Sequence, residues 1–314
     1  MPESRPVIRV AIRPKDDADR ESLQRVLNDL AREDASMRVG AASAEGEAVI
    51  GGVQELHLRI ICERISREFG IQIEVGPSEV IYLETIRKKS EAEGKYVRVF
   101  SRHHNYGHVK IRLEPLEPGI GYEFIDDIKG DAIPAAFRRP VDLGIQEAIK
   151  GGILQGHEMV DIRAVLYDGS YHAEDSNEMA FKIAGAMAFK EAARQASPVA
   201  LEPIMTVEVS APDKFVGAIV GDLSLRRGRI EGLKHSSGWQ VIRATVPLAN
   251  LLGYPNHVPS LTQGKAAVSM KFLGYEQAPH PDDPGENAAG VTATKPKSPQ
   301  AGSGFAAAQW DDES

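Results

Sequence analysis

Three histidines in one short segment are the most obvious candidates for metal chemistry. His103, His104 and His108 could offer imidazole nitrogens, which are good zinc ligands. A closed zinc site needs about four ligands, no cysteine accompanies these histidines, and adjacent histidines rarely share one metal without strain in the loop. We therefore expect no bound metal here, while a metal-dependent enzyme stays open as a third interpretation of the chain.

Nucleophilic and nucleotide chemistry have even weaker candidates. Cys62 is the one cysteine, and it lies in an apolar stretch that is typical of a buried helix, where thiols are usually inert. The nearest approach to a phosphate-binding loop is Gln263-Gly264-Lys265, which lacks the upstream glycine and precedes a predicted strand. No guanine-reading Asn-Lys-x-Asp motif is present. We expect no cofactor, no nucleotide binding and no enzymatic activity from this chain.

Composition places the chain among ordinary globular proteins. It has 314 residues, of which 42% are hydrophobic and 26% charged, enough for two or three domains. The net charge is −8, so any contact with RNA must depend on local basic patches. A single cysteine favours a reducing compartment, and no apolar run approaches the roughly 18 residues that span a bilayer. We predict a cytoplasmic protein that does not contact membranes.

The elements that must position these residues begin with a split βαβ unit. The predicted elements of residues 1–76 are a strand at 7–12, a helix at 16–32, strands at 37–42 and 47–50, a helix at 52–69 and a strand at 71–75. The second helix is predicted to bury Leu56, Ile60, Ile61 and Ile65 on one face. The order βαββαβ indicates a ferredoxin-like domain.

The same order recurs over residues 201–277. Its predicted elements are a strand at 204–209, a helix at 213–226 ended by Gly228, strands at 229–234 and 239–246, a short helix from 248 and a strand at 267–273. The segment 77–200 between them has strands at 96–99, 109–113 and 160–166 and helices at 139–150 and 176–195, the last capped by Ser176. This indicates a central α/β domain, and the Pro-, Gly- and Ser-rich residues 278–314 are predicted to be a disordered acidic tail.

Several long, irregular strings resemble translation elongation factor G. They include YLETIRKKSEAEGKYVR (82–98), YGHVKIRLEPLEPGIGYEF (106–124), GAIVGDLSLRRGRIEG (217–232) and VPLANLLGYPNHVPSLTQGKA (246–266), and the first domain fits through GGVQELHLRIICERISREFGIQIEVG (51–76). The resemblance covers nearly everything to about residue 275. It implies an α+β chain in which two ferredoxin-like domains, III and V, flank a central domain of the domain IV type. The family's GTPase domain and the β-barrel after it are absent from this chain.

That resemblance also implies a site. Domain IV of the family enters the decoding centre through two tip loops, which match residues 100–108 and 167–175 here. The residues assigned to ribosome or RNA contact on this basis are Arg102, His103, His104, Asn105, Tyr106, Gly107, His108, Asp168, Gly169, Ser170, Tyr171 and His172.

Local chemistry agrees with such a site. Gly107 and Gly169 permit tight turns or close backbone approach, and the rings of Tyr171 and His172 suit stacking and phosphate or 2′-hydroxyl contact. The alternative for Asp168-Gly169-Ser170 is that they form only a hairpin turn. Arg226 and Arg227 are possible large-subunit contacts, although basic residues in the last turn of a helix also complement its dipole without any RNA.

One departure from the family pattern affects the first loop. The family usually has GGRGQ before Tyr-Gly-His, whereas this chain has Ser-Arg-His-His-Asn at residues 101–105. The loop is therefore expected to be less flexible and differently shaped, yet still able to bind RNA.

The resemblance implies that the ribosome is the partner, through ribosomal RNA and proteins and through mRNA–tRNA at the decoding site, together with a separate GTPase subunit or factor. Two origins stay open, a fragment of a longer factor or a stand-alone chain. A stand-alone ribosome-associated regulator that competes with the full factor is the second hypothesis, of which tetracycline-resistance-type protection is a weaker variant.

Overall fold

The computed structural model describes residues 5–40, 47–100, 103–236 and 238–279, which form two compact units. One unit comprises the described residues of Met1–Ile81 and Glu202–Ser314, and the other is Tyr82–Leu201. The predicted acidic tail lies outside the described residues from position 280 onward. Both units combine helices with antiparallel or mixed sheets, which confirms the α+β class.

The first segment has the predicted ferredoxin-like order. Its elements are β1 (Ile8–Pro14), α1 (Arg20–Glu33), β2 (Arg38–Gly40), β3 (Ala48–Gly52), α2 (Glu55–Glu68) and β4 (Ile73–Val80), and the strands lie in the order β2-β3-β1-β4. A short 3-10 helix, Asp17–Asp19, leads into α1.

The buried face of α2 differs from the predicted one. Leu58, Ile61, Cys62 and Ile65 are buried, whereas Leu56 and Ile60 are 62% and 48% exposed. The spacing i, i+3, i+4, i+7 selects the residues that face the sheet, and Leu56 and Ile60 lie on the adjoining stripe. Burial raises the pKa of the Cys62 thiol to about 11, because a thiolate would lose its hydration there. The Cys62 thiol is therefore protonated near neutral pH.

The second unit is a four-stranded sheet covered by two helices. Its elements are β5 (Leu83–Ile86), β6 (Ser90–Phe100), β7 (His103–Pro115), β8 (Tyr122–Asp126), α3 (Ala135–Lys150), β9 (Ile162–Ser170) and α4 (Glu178–Gln195). The sheet has the order β6-β7-β9-β8, in which β8 and β9 are parallel and are joined through α3. The strand predictions missed β5 and β8, which are four and five residues long.

The last segment repeats the ferredoxin-like order. Its elements are β10 (Pro198–Pro212), α5 (Val216–Leu225), β11 (Arg229–Ser236), β12 (Trp239–Pro247), α6 (Tyr254–Thr262) and β13 (Ala267–Gln277), with the strand order β11-β12-β10-β13. The first four residues of β10, 198–201, instead pair with β5 in the second unit.

The two ferredoxin-like segments share one hydrophobic core. Buried side chains from both, among them Leu27, Ile65, Val207 and Tyr254, belong to a single continuous cluster. Polar contacts join them as well, because the backbone N–H of Gly253 donates to the Glu55 carboxylate at 3.0 Å. The residues of Met1–Ile81 thus depend on the C-terminal segment for their packing.

The end of α5 corrects the predicted role of Gly228. The residue in the left-handed conformation is Arg227, with φ of 62°, while the N–H of Gly228 donates to the carbonyl of Leu223 at 2.8 Å. The N–H of Arg227 also donates to the carbonyl of Ser224 at 3.1 Å, and the two bonds form a Schellman ending in which Arg227 occupies the position usually given to glycine. A Cβ on Gly228 would lie 2.5 Å from the Leu223 carbonyl oxygen, so glycine is needed there for close approach instead.

Helix α4 packs directly on the backbone of β6 and β7. It presents an alanine every four residues towards these strands: Ala180, Ala184, Ala188 and Ala192, all fully buried. Glycines lie opposite, and a Cβ added to Gly94 or Gly107 would come within 2.0 or 2.5 Å of an α4 carbonyl oxygen. Such distances are below any real contact, so neither position has room for a side chain.

Helices α3 and α4 also touch backbone to backbone. A Cβ on Gly144 of α3 would lie 1.9 Å from the carbonyl oxygen of Lys182, and one on Gly185 of α4 would lie 2.6 Å from that of Val141. Two glycines on facing helices therefore fix the separation of α3 from α4.

A buried carboxylate organises the segment after α3. Glu84 in β5 is fully buried, and its two oxygens accept four backbone N–H groups, those of Ile153, Leu154, Gln155 and His157, at 2.6–3.1 Å. Burial alone would raise the pKa of Glu84, but these four donors stabilise the ionised form and lower it. One side chain thus replaces the backbone partners that residues 153–157 lack.

We expect Gly144→Ala to destabilise the second unit by about 1–3 kcal/mol, because the added methyl group forces α3 and α4 apart. The matched control is Gly221→Ala in α5, where a Cβ meets no atom within 4 Å. That change should stabilise the protein by about 0.5–1 kcal/mol through helix propensity. Urea unfolding measures both, and a stabilised Gly144→Ala variant would contradict the close contact.

We expect Glu84→Gln to reduce the free energy of unfolding at pH 7 by roughly 1.5–3 kcal/mol, because the amide places a donor among donors. The folded pKa is lowered, so the ionised carboxylate stabilises the fold above the ordinary glutamate pKa, and this contribution is lost as the pH falls through the folded value. The difference between wild type and variant should therefore shrink on acidification. Glu117→Gln, at an exposed position of the same unit, should be neutral at both pH values.

Candidate nucleic-acid interface

The two segments predicted to contact RNA meet at one end of the second unit. The backbone N–H of Tyr106, in β7, donates to the carbonyl of Asp175 at 2.8 Å, and Tyr106 also forms a parallel bridge with Ser176. The strand containing residues 103–108 and the loop that follows β9 are therefore in direct contact.

A shared hydroxyl links the side chains of this end. The Ser170 hydroxyl lies 2.7 Å from the Tyr106 hydroxyl and 2.8 Å from Nδ1 of His108. On the far side of the imidazole, Nε2 of His108 lies 3.6 Å from the carboxylate of Glu93. Ser170 thus connects residues of two strands, and His108 connects them to a third.

The exposed part of the end combines rings with a positive charge. The ring of His172 meets the ring of Tyr106 edge to face, with 4.2 Å between centroids. The ammonium group of Lys95 lies 6.0 Å from the Tyr106 centroid, at the limit of a cation–π contact. Tyr171 is 42% exposed beside them. We call Tyr106, Tyr171, His172 and Lys95 the tip surface.

The loop of residues 171–177 is held by its own side chains. The Ser176 hydroxyl accepts from the backbone N–H of His172 at 2.9 Å, so Ser176 does not cap α4 as the sequence predicted. Asn177 is the cap, with its Oδ1 accepting from the N–H of Ala180 at 2.9 Å. Its amide nitrogen donates to Oδ1 of Asn105 at 2.6 Å, which joins the helix start to β7.

Asp168, Gly169 and Ser170 are strand residues, not the predicted turn. They pair with Lys110, Val109 and His108 along β7. The ammonium group of Lys110 contacts the Asp168 carboxylate at 2.8 Å, and this hydrogen bond lowers the pKa of Asp168. A Cβ on Gly169 would lie 2.4 Å from the His108 carbonyl oxygen, so Gly169 permits close approach.

Part of the predicted site lies outside the residues that the structure describes. Arg102 and the side chains of His103 and His104 are not described, although β7 begins at His103, which pairs with Phe100. Within the described ranges, no three His, Cys, Asp or Glu side chains gather closely enough to hold a metal ion.

Arg226 and Arg227 both have partners within their own unit. Arg226 contacts the Asp222 carboxylate at 2.9 Å and lies 4.8 Å from the centroid of the Tyr254 ring. Arg227 holds the buried carboxylate of Glu202 with two hydrogen bonds of 2.7 and 3.1 Å. These contacts give each arginine a structural role, and a large-subunit contact remains a prediction for both.

Sequence reasoning missed Asn177 and Lys95, and only Asn177 could have been found from a local signal. Asn177 is among the preferred capping residues and directly precedes the helical pattern. Lys95 faces the same side of the sheet as Tyr106 because it pairs with His108, two residues further along β7. The register that brings Lys95 there depends on the hairpin length and could not be read from the spacing.

Family models match the chain in three consecutive segments. They are described as "Elongation Factor G, domain III" for residues 3–77, "Elongation factor G, domain IV" for residues 78–197 and "Elongation factor G C-terminus" for residues 199–283. The chain belongs to the elongation factor G family. None of the three matched models is that of a GTP-binding domain, and all three are described as parts of elongation factor G.

A solved structure is similar to the chain in both fold and sequence. The chain is 38% identical, with a TM-score of 0.68, to a protein in a crystal structure from Thermus thermophilus. The match covers 89% of this chain and 42% of that one, so the chain spans less than half the length of this relative. The elongation factor G domain IV model includes the whole tip surface. Among the described residues, no helix is long and apolar enough to cross a membrane.

Variants of Asn177 should separate its two roles in this elongation factor G domain. Asn177→Ser keeps a capping oxygen but is too short to reach Asn105, whereas Asn177→Ala loses both contacts. We expect Asn177→Ala to be about 1 kcal/mol less stable than Asn177→Ser in urea unfolding. Both variants should speed amide hydrogen exchange of residues 172–176. Asn105→Ala removes the same contact from the other partner and should have the same effect on exchange without loss of the cap. Unchanged exchange in all three would contradict the role of this contact.

Proposed function

We propose that this chain is a ribosome-binding module that acts in translocation by occupying a site and breaks no bonds itself. The observation that carries the proposal is the junction of two distant segments at the end of a tightly packed unit, where the half-buried ring of Tyr106 meets the exposed ring of His172. Loops with polar and aromatic side chains on a rigid scaffold are typical of binding sites.

The chemistry of the tip surface suits folded or single-stranded RNA. The rings of Tyr106, Tyr171 and His172 can stack on unpaired bases, and their polar atoms can reach phosphates or 2′-hydroxyls. Lys95 adds one local positive charge, although the chain as a whole carries −8. Binding should therefore depend on shape and stacking more than on charge, with a shallow dependence on salt.

Rigid packing supports a positional mechanism. Because α4 contacts both α3 and the sheet through backbone atoms, the second unit can transmit a displacement as one body. We infer that its partners are ribosomal RNA and proteins, with mRNA–tRNA at the decoding site, and that the driving force comes from a GTPase subunit or factor outside these domains. The place of action would be the cytoplasm.

A regulator that competes with the full factor is the second candidate, and one observation favours it. Asn105, at the end of the altered segment 101–105, is tied to Asn177 at 2.6 Å. The bulkier residues of this segment and the anchored Asn105 differ from the glycine-rich run of the family, and a chain that differs there could occupy the site without supporting movement.

Ribosome sedimentation followed by a translocation assay distinguishes the two candidates. Retention on ribosomes together with translocation when a separate GTPase half is added would support the module. Retention with inhibition of the complete factor would support the regulator. If ribosomes do not retain the chain at low salt, both proposals are wrong.

We expect His172→Ala to weaken retention on ribosomes about tenfold, because stacked aromatic side chains are each worth about 1–3 kcal/mol in RNA contacts. The melting temperature should hardly change, since the backbone bonds between His172 and Ser176 do not involve the imidazole. His235→Ala, an exposed histidine in the other unit, serves as the control. A large loss of stability would assign His172 to packing instead.

A further inference from the structure

A line of polar atoms runs from the body of the sheet to the tip surface. It passes from the Glu93 carboxylate to Nε2 of His108 at 3.6 Å, from Nδ1 of His108 to the Ser170 hydroxyl at 2.8 Å, and from there to the Tyr106 hydroxyl at 2.7 Å. The last oxygen belongs to the ring that His172 touches at the exposed end. A change at His108 can therefore reach the tip through hydrogen bonds alone.

The number of protons available along this line decides which groups donate and which accept. We call the resulting donor-to-acceptor order the direction of the line. A hydroxyl carries one proton, so Ser170 can donate to only one of its two neighbours. If His108 is neutral and carries its proton on Nε2, towards Glu93, then Nδ1 accepts from Ser170. Ser170 must then accept from Tyr106, which directs the phenolic O–H inward. In this state Tyr106 cannot donate a hydrogen bond to a ligand.

Protonation of His108 allows the line to reverse. Both ring nitrogens of a charged imidazole are donors, so Nδ1–H donates to the Ser170 oxygen. Ser170 no longer has to donate to His108, so it can turn its own proton towards the oxygen of Tyr106 and free the Tyr106 O–H to turn outward to an acceptor. One proton enters from solvent, two hydroxyl groups rotate, and no bond between heavy atoms forms or breaks. Tyr106 then presents a donor at the tip surface.

We propose that Ser170 and His108 are positioning residues that set the direction of the Tyr106 O–H, and that an RNA phosphate oxygen bound by Tyr106 is coupled to uptake of one proton at His108. This coupling rests on the proposed function, because the phosphate would come from ribosome-bound RNA. An anionic acceptor needs a donor from Tyr106. When neutral His108 carries its proton on Nε2, Tyr106 can supply that donor while remaining bonded to Ser170 only after His108 takes up a second proton.

Charged groups of both signs lie on the side of the sheet that carries His108. The titratable groups that face it are Glu93 and Lys95 on β6, Tyr106 and Lys110 on β7 and Asp168 on β9. Glu93 favours the charged imidazole and Lys95 opposes it, while Lys110 and Asp168 neutralise each other in an ion pair of 2.8 Å. His172 lies beyond Tyr106, at the exposed end of the line.

The direction of the line can be tested in the free protein. Nitrogen NMR of the histidine side chains at about pH 7.5 should show His108 with its proton on Nε2 and an unprotonated Nδ1. Finding the proton on Nδ1 at this pH would overturn the proposal, because Ser170 would then already donate to Tyr106 without any proton uptake. This test does not involve ribosomes, so its outcome is independent of the proposed function.

The coupling is tested by the affinity for purified ribosomes at pH 6, 7 and 8. Uptake of one proton should weaken wild-type binding by up to about tenfold per pH unit on raising the pH. His108→Gln, Ser170→Ala and Tyr106→Phe should each reduce this dependence of affinity on pH. Ser170→Thr, which keeps the hydroxyl, should retain the dependence of the wild type. His235→Gln in the other unit should keep the full slope.

The outcomes separate the two proposals. Binding with the same slope in wild type and in the three variants would overturn the coupling and leave the proposed function intact. No binding at any pH would overturn the proposed function and, with it, the coupling. A thermal unfolding curve for each variant identifies any that fail to fold, and Ser170→Thr then decides the role of the hydroxyl.

Discussion

The contact of α4 with the backbones of its neighbours is the constraint on which the second unit depends. Glycines at positions 94 and 107 of the sheet, and glycines 144 and 185 between the helices, leave no space for a methyl group. Dispersion forces are strongest where atoms approach closely, so such packing is stiff as well as stable. The helix start at Asn177 is placed against β7 because the rest of α4 cannot shift.

The stiff packing of the second unit holds the donors and acceptors at the tip surface in fixed positions. Hydrogen bonds of 2.7 and 2.8 Å around Ser170 need donors and acceptors held to within a few tenths of an ångström. The strands supply this accuracy, because Ser170 and His108 are paired residues of β9 and β7. The buried Glu84 acts in the same way at residues 153–157, where one carboxylate fixes a stretch of backbone. In both places apolar packing positions the backbone, and a few polar side chains then supply the hydrogen bonds that fix it.

Much of the fold could be read from the sequence because its signals are local. Helical spacing and strand alternation predicted both βαββαβ orders, and the irregular strings identified the family. The predictions were wrong where contacts between residues distant in the sequence determine the local conformation. Asp168-Gly169 favours a turn by itself, but pairing with β7 keeps it extended. Gly228 is a reasonable helix ending by local rules, but Arg227 takes the left-handed conformation, and its side chain binds Glu202, 25 residues away. The meeting of Tyr106 with His172 likewise depends on strand register, which spacing alone does not reveal.

The core shared by the two ferredoxin-like segments limits how this chain can evolve. Leu27 and Ile65 pack in the same cluster as Val207 and Tyr254, and a backbone N–H near α6 relies on Glu55. A recombination event that replaced one segment alone would leave mismatched apolar surfaces on both. The central unit has a separate core, which the chain enters once and leaves once. Lineages could therefore exchange or elaborate that insert freely, while the paired segments around it must be inherited together.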